Sequence, residues 1–111
     1  MISGIGIDMV EVSRLKKAIN KWGEEFLNRV FTKKEIKYSM QKRFPYQHLA
    51  ARFAAKEAVM KAFGNNLVTF RDIEIINDKT GKPSCRLRNK KRTVHLSITH
   101  TDKYAIATAV I

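Results

Sequence analysis

The spacing of apolar positions changes along the chain, and each change marks an element. Over residues 2–10, Ile-Ser-Gly-Ile-Gly-Ile-Asp-Met-Val, apolar content and length predict a strand. Alternation puts Ile5, Ile7 and Met9 on one face and Gly4, Gly6, Asp8 and Val10 on the other. The two glycines beside Asp8 remove side-chain bulk from its face, so something can approach the backbone closely there. A helix follows from Ser13 or Glu11 to about Asn20. Leu15, Ala18, Ile19 and Trp22 supply its inward side, while Arg14, Lys17 and Lys21, three and four apart, form a basic stripe. A short helix is expected over 24–30. Thr32-Lys33-Lys34-Glu35 then has the capping-box pattern, which predicts a helix to about residue 41.

Pro45 suits the first turn of the next helix, which runs to Phe63, where Gly64 stops it. Ala50, Ala51, Ala54, Ala55, Ala58 and Ala62 cover one broad face and allow close packing on a sheet. Leu49, Phe53, Val59, Met60 and Phe63 lie opposite, with Arg52 and Lys56 among them and Glu57 and Lys61 at the border. A plain surface helix would have a continuous polar face. This one has none, so some of its charges are expected to be buried, paired or lining a site. The last third is β-rich: strands over 73–77 and 83–87 around a turn at 78–81, a basic loop at 89–92, a strand over 94–99 with Val94, Leu96, Ile98 and His100 on one face, and a final strand over 104–111. Helices in the first half and hairpins in the second predict an α+β fold, one domain over residues 1–111.

Composition narrows the classes. A chain of 111 residues with 44% apolar content can bury a core. Its single cysteine, Cys85, excludes an internal disulfide framework and a cysteine-based zinc site. The start lacks a signal-peptide pattern, and no apolar run approaches a membrane span, so a soluble, cytoplasmic protein is expected. Twenty-two Lys and Arg against ten Asp and Glu give a net charge of +12, which calls for anionic partners without saying which.

Against that surplus, Asp8 and Glu57 stand out as acids in apolar segments. A carboxylate so placed is costly unless paired or bound to a metal. Magnesium prefers carboxylate oxygens and completes its shell with water and substrate phosphates. The ordinary alternative is a Glu57–Lys61 pair at i,i+4 with Asp8 merely ending a strand, and spacing leaves both open. Lys56 and Lys61 flank Glu57, where a lysine can neutralise charge on a leaving phosphate. His100 is a candidate base, phosphate ligand or pocket wall. His48 and His95 carry no motif. A small nucleic-acid-binding module is the alternative reading of the charge, but no basic–aromatic interleaving or recognised motif supports it.

At these residues the chain resembles the phosphopantetheinyl transferases, and closely the small bacterial holo-acyl-carrier-protein synthases. The resemblance lies in Gly4-Ile-Gly-Ile-Asp-Met-Val-Glu-Val-Ser-Arg-Leu15, in Arg52-Phe-Ala-Ala-Lys-Glu-Ala-Val-Met-Lys-Ala-Phe-Gly64, and in Leu96-Ser-Ile-Thr-His100 followed by Tyr104-Ala-Ile-Ala107, with Phe31-Thr-Lys-Lys-Glu35 and Gly81-Lys-Pro83 in order between. It implies the phosphopantetheinyl transferase fold and transfer of the 4′-phosphopantetheine arm of coenzyme A to a serine of apo acyl carrier protein in fatty acid biosynthesis, releasing adenosine 3′,5′-bisphosphate. By the same resemblance Asp8 and Glu57 bind magnesium, Lys61 sits on the leaving phosphate, and Arg52, Lys56, Lys61, Gly64 and His100 shape or contact the coenzyme site. Glu57, or a metal-held water positioned by Asp8, takes the serine proton. Arg14, Lys17 and Lys21 receive the acidic carrier, Lys42 and Arg43 meet the 3′-phosphate, and the assembly is a homotrimer with the site between subunits. The chain departs from the family pattern at Ala51 and Thr99, where glycine and serine are usual, and at Asn65-Asn66, which alters the loop at the pocket mouth.

Overall fold

The computed structural model describes residues 1–64 and 67–111; the expected loop change at Asn65-Asn66 lies outside the described residues. The elements in order are β1 (Ile5–Glu11), α1 (Val12–Val30), α2 (Lys33–Met40), α3 (Pro45–Phe63), a short 3-10 turn (Phe70–Asp72), β2 (Ile73–Asn77), β3 (Pro83–Leu87), β4 (His95–His100) and β5 (Tyr104–Val110). The α+β layout expected from the apolar periods is the one observed.

β1, β5 and β4 form one antiparallel sheet in that order, and β2 pairs with β3 in a separate ribbon. Asp8 stands opposite Ala107, and Ala107 opposite Ile98. One face of the sheet is made for a helix. Gly6, Asp8 and Val10 share it with Ala105, Ala107 and Ala109, and α3 lays Ala54, Ala58 and Ala62 against it. Small residues on both sides let the backbones approach closely, and these alanines are almost wholly buried.

The other face of the sheet is bare. Ile5, Ile7 and Met9 are 62%, 59% and 63% exposed, although their alternation gives β1 its strand character. Burial in β1 thus falls to the small-residue face, and the large apolar side chains point away from α3. β1 also begins later than the apolar run, at Ile5, because Ser3 and Gly4 turn their amides to the Ile111 carbonyl.

α1 is two helical stretches joined at Gly23, whose φ of 61° and ψ of −140° break the helix. Two helices over this span were expected, with a boundary here. Trp22 was expected to point inward; it is 56% exposed, with the Lys21 ammonium 4.9 Å from its ring centre. It continues the stripe of Leu15, Ala18 and Ile19, but the stripe runs past the edge of the core. The capping box at Thr32 forms as its residues dictate. Thr32 Oγ1 accepts from the Glu35 amide, and Glu35 Oε1 accepts from the Thr32 amide at 2.8 Å.

Candidate active site

Lys56 and Glu57 are neighbours on α3 with opposite fates. Lys56 is fully buried. Its ammonium lies 2.6 Å from Glu35 Oε1 and donates to the carbonyls of Val30 at 2.8 Å and Phe70 at 3.3 Å. Glu35 spends its other oxygen on the Ile75 amide at 2.7 Å. Every donor on Lys56 is therefore taken by protein, and the pair ties α3 to the end of α1, to α2 and to β2. Burial lowers the Lys56 pKa and Glu35 pulls it back up. Lys56 was expected to shape or contact the coenzyme site. With no exposure and every donor taken within the chain, its side chain can shape that site by bracing α3 but has no donor to offer a ligand.

Glu57 lies a rotation of about 100° further round the helix and faces a cleft of about 440 Å³ that Asp8 and Arg14 also line. Leu15, Ala18, Phe26 and Phe53 form its apolar wall. Lys61, one turn beyond Glu57, reaches across to β1. Its ammonium donates to the Ile7 carbonyl at 3.0 Å and to Asp8 Oδ1 at 3.2 Å. Asp8, Glu57 and Lys61 are thus gathered by one crossing of β1 over α3. Burial first, and the negative charge of Asp8 second, push the Glu57 carboxyl above its usual range, while Lys61 draws it back. The i,i+4 pairing of Glu57 with Lys61 is not the arrangement adopted, because the ammonium goes to Asp8.

Arg52 and His100 are elsewhere. Arg52 precedes Glu57 by five residues, roughly 140° round the helix. His100 on β4 is separated from Asp8 on β1 by the intervening β5. They line a second cavity of about 240 Å³ with Tyr38, His48 and Asn77. The Arg52 guanidinium, 4% exposed, stacks 4.1 Å from the Tyr38 ring centre and donates to Asn77 Oδ1. Its Nε is buried without a hydrogen-bond partner among the described residues. The His100 ring meets His48 edge to face at 5.6 Å. Burial, His100, Arg52 and Lys42 in turn lower the His48 pKa. Gly64 ends α3 with a φ of 78°, its amide bonded to the Met60 carbonyl at 2.8 Å. Arg14, Lys17 and Lys21 are exposed on α1, as their stripe predicts.

Several contributors were not singled out in the sequence. Glu35 was read as a helix cap, with nothing local to reveal that its carboxylate also holds Lys56. Asn77 and His48 join Arg52 and His100 only through the packing of α3 on the strands.

The fold thus assembles a cleft with two carboxylates and a lysine beside them, and a separate pocket around Arg52 and His100. A family model for the 4′-phosphopantetheinyl transferase superfamily matches residues 4–109. The chain belongs to that superfamily. It is similar to the holo-[acyl-carrier-protein] synthase of Thermodesulfovibrio yellowstonii, with 46% identity over 112 residues, covering 100% of this chain and 99% of the relative. Among solved structures it is similar to the Bacillus anthracis synthase in complex with CoA (3′,5′-ADP), at a TM-score of 0.86 and 39% identity over 99% of this chain and 96% of the other. The Helicobacter pylori synthase in complex with coenzyme A matches at a TM-score of 0.84 and 30% identity, covering 95% of this chain and 96% of the other.

The carboxylate pair fits magnesium. Both donors are hard oxygens, and burial together with a like-charged neighbour makes Glu57 ionise reluctantly without a cation. Among the described residues no group of three or more metal-ligating side chains occurs, so Asp8 and Glu57 would leave most of the coordination shell to water and substrate phosphates.

Proposed function

We propose that the chain is a holo-acyl-carrier-protein synthase. It transfers the 4′-phosphopantetheine arm of coenzyme A to a serine of an apo acyl carrier protein and releases adenosine 3′,5′-bisphosphate, as a single cytoplasmic transferase domain serving fatty acid biosynthesis. The observation that carries this reading is the convergence of Asp8 and Glu57 on one cleft, with Lys61 bonded to Asp8, in a member of this superfamily.

Asp8 and Glu57 would hold a magnesium ion. Bound there, magnesium would neutralise the pyrophosphate of the coenzyme and make its β-phosphorus more electrophilic. Glu57, or a metal-held water positioned by Asp8, would accept the proton of the attacking serine hydroxyl. As the serine oxygen bonds to phosphorus, the bond to the adenosine bisphosphate breaks, and Lys61 neutralises the charge gathering on that leaving group. The carrier docks on α1. Arg14, Lys17 and Lys21 attract its acidic surface, and the exposed Trp22 gives an aromatic anchor beside them.

Arg52 and His100 are assigned to the nucleotide end of coenzyme A, and Gly64, at the far end of α3, to the coenzyme site more broadly. The unpartnered Arg52 Nε in its cavity supports a phosphate ligand there. Because one chain keeps this cavity apart from the carboxylate cleft, a homotrimer with the site between subunits would join the two halves. The bare apolar face of Ile5, Ile7 and Met9 supports such an assembly, since large apolar patches are seldom left to water.

The test is to incubate the protein with coenzyme A, magnesium and an apo carrier and to weigh the carrier by mass spectrometry. The expected result is a mass gain of one phosphopantetheine that disappears when the metal is chelated. No gain with several carriers would defeat the transferase reading, and a gain insensitive to chelation would defeat the metal assignment. Light scattering on the same sample should give the trimer mass; a monomer would overturn the assembly.

A further inference from the structure

Gly6 carries no side-chain chemistry and stands two residues before Asp8, where β1 crosses α3. β1 touches the backbone of α3 at two levels. A β-carbon on Gly6 would overlap the Ala58 carbonyl oxygen and stand 2.8 Å from both the Ala58 carbonyl carbon and the Ala62 nitrogen. A β-carbon on Gly4 would overlap the Ala62 carbonyl oxygen and stand 3.1 Å from its carbon. Two residues of strand advance about 6.6 Å and four residues of helix about 6 Å, so the strand keeps step with the helix turn by turn. Asp8 is the next residue along that contact, and its level is the one from which Lys61 reaches the Ile7 carbonyl and Asp8. The atoms facing Gly6 belong to backbone, so no rotamer change can make room for a side chain.

Magnesium demands near-ideal octahedral geometry with bonds of about 2.0–2.1 Å. Two ligands carried by separate elements meet that demand only if the elements keep one spacing. We infer that Gly6 is a positioning residue for the metal: its missing side chain sets the separation of β1 from α3 at which Asp8 and Glu57 share one cation. The inference rests on the two-carboxylate reading above.

The test measures binding of manganese ion, by loss of its free EPR signal, to the full chain in the presence of coenzyme A, with circular dichroism as the check on folding. Gly6→Ala is expected to weaken manganese binding about tenfold or more, the usual effect of disturbing the support of a metal ligand. Asp8→Glu on the native spacing should also weaken it, because the ligand is then too long. Combining the two should recover affinity, since the extra methylene returns about 1.5 Å of reach. Gly4→Ala, with the same kind of overlap two residues further from Asp8, should leave affinity unchanged, which separates spacing from general loosening. Equal affinity in Gly6→Ala and wild type, or a double variant weaker than either single, would overturn the inference alone. If Gly6→Ala does not fold, Asp8→Glu decides: affinity equal to wild type means the spacing is slack and the inference fails. A wild-type chain that binds no manganese would overturn the two-carboxylate reading and this inference with it.

Discussion

Lys56 and Glu57 sit side by side on α3, and the contrast between their surroundings separates structure from function. Lys56 is enclosed with Glu35, and between them they find a partner for each donor and for both carboxylate oxygens. Glu57 is half-buried beside another carboxylate, and Lys61, one turn further along α3, bonds to Asp8. A buried charge whose partners all lie inside the protein holds the fold. A charge left facing its like at a cleft costs stability and gains by binding a cation from outside. The motif Lys56-Glu57 contains both, one residue apart, because about 100° of helical rotation is enough to change the core into a cleft.

Disturbing the enclosed side should give the largest effect. Lys56→Met leaves the Glu35 carboxylate buried without its ammonium, and breaking a buried pair in this way costs about 3–5 kcal/mol. Urea denaturation measures it. A loss under 1 kcal/mol would mean that the pair contributes no more than an exposed one, and the contrast would collapse.

On the cleft side the order of effects reverses. Lys61 makes an ion pair, but its side chain is 55% exposed, and such pairs contribute little to stability. Lys61→Met should melt within a few degrees of wild type and slow transfer roughly a hundredfold, as expected for a lost stabiliser of the leaving group. Full activity would remove Lys61 from the reaction.

Smaller effects belong to the basic stripe proposed to receive the carrier. Reversing Arg14, Lys17 and Lys21 to glutamate one at a time should raise the KM for the carrier and leave kcat nearly unchanged, with the penalty shrinking as salt is added. A kcat effect with constant KM would place these residues in the chemistry instead.

The smallest effect is pH-linked. His48, facing His100, Arg52 and Lys42, has a pKa held below its ordinary value of 6.5. Below that value the unfolded chain binds a proton that the folded chain refuses, so this stability term, intact at neutral pH, is lost as pH falls. Thermal melts at pH 7 and pH 5 should therefore show wild type losing more than His48→Phe. Equal losses would mean that His48 does not resist its proton.

The helices, their caps and both hairpins were legible because each is written locally: Thr32 and Glu35, Pro45 and Gly64, the alanine face of α3. Asp8, Glu57 and Lys61 were legible as a group through the motif blocks, whereas their spacing alone favoured a surface pair. What was hidden depends on packing between distant elements. Glu35 finds Lys56 only when α2 docks on α3, Arg52 finds Asn77 only when β2 does, and Trp22 follows the apolar period yet lies past the rim of the core. The outward turn of Ile5, Ile7 and Met9 was hidden for another reason. Alternation tells two faces apart but does not say which is buried, and here the glycines and alanines took the helix.

The central claim is that Glu57 acts on the substrate and contributes nothing favourable to folding. Its carboxyl is pushed up, so the folded chain binds a proton more readily than the unfolded one, and ionised Glu57 costs stability as pH rises above the ordinary glutamate range. Glu57→Gln, assayed at neutral pH by thermal melting and by mass gain on an apo carrier with coenzyme A and magnesium, tests both halves in one protein. The account predicts melting at or above the wild-type temperature with transfer slowed at least about a hundredfold. A variant that melts lower, or one that still transfers at close to the wild-type rate, would contradict it.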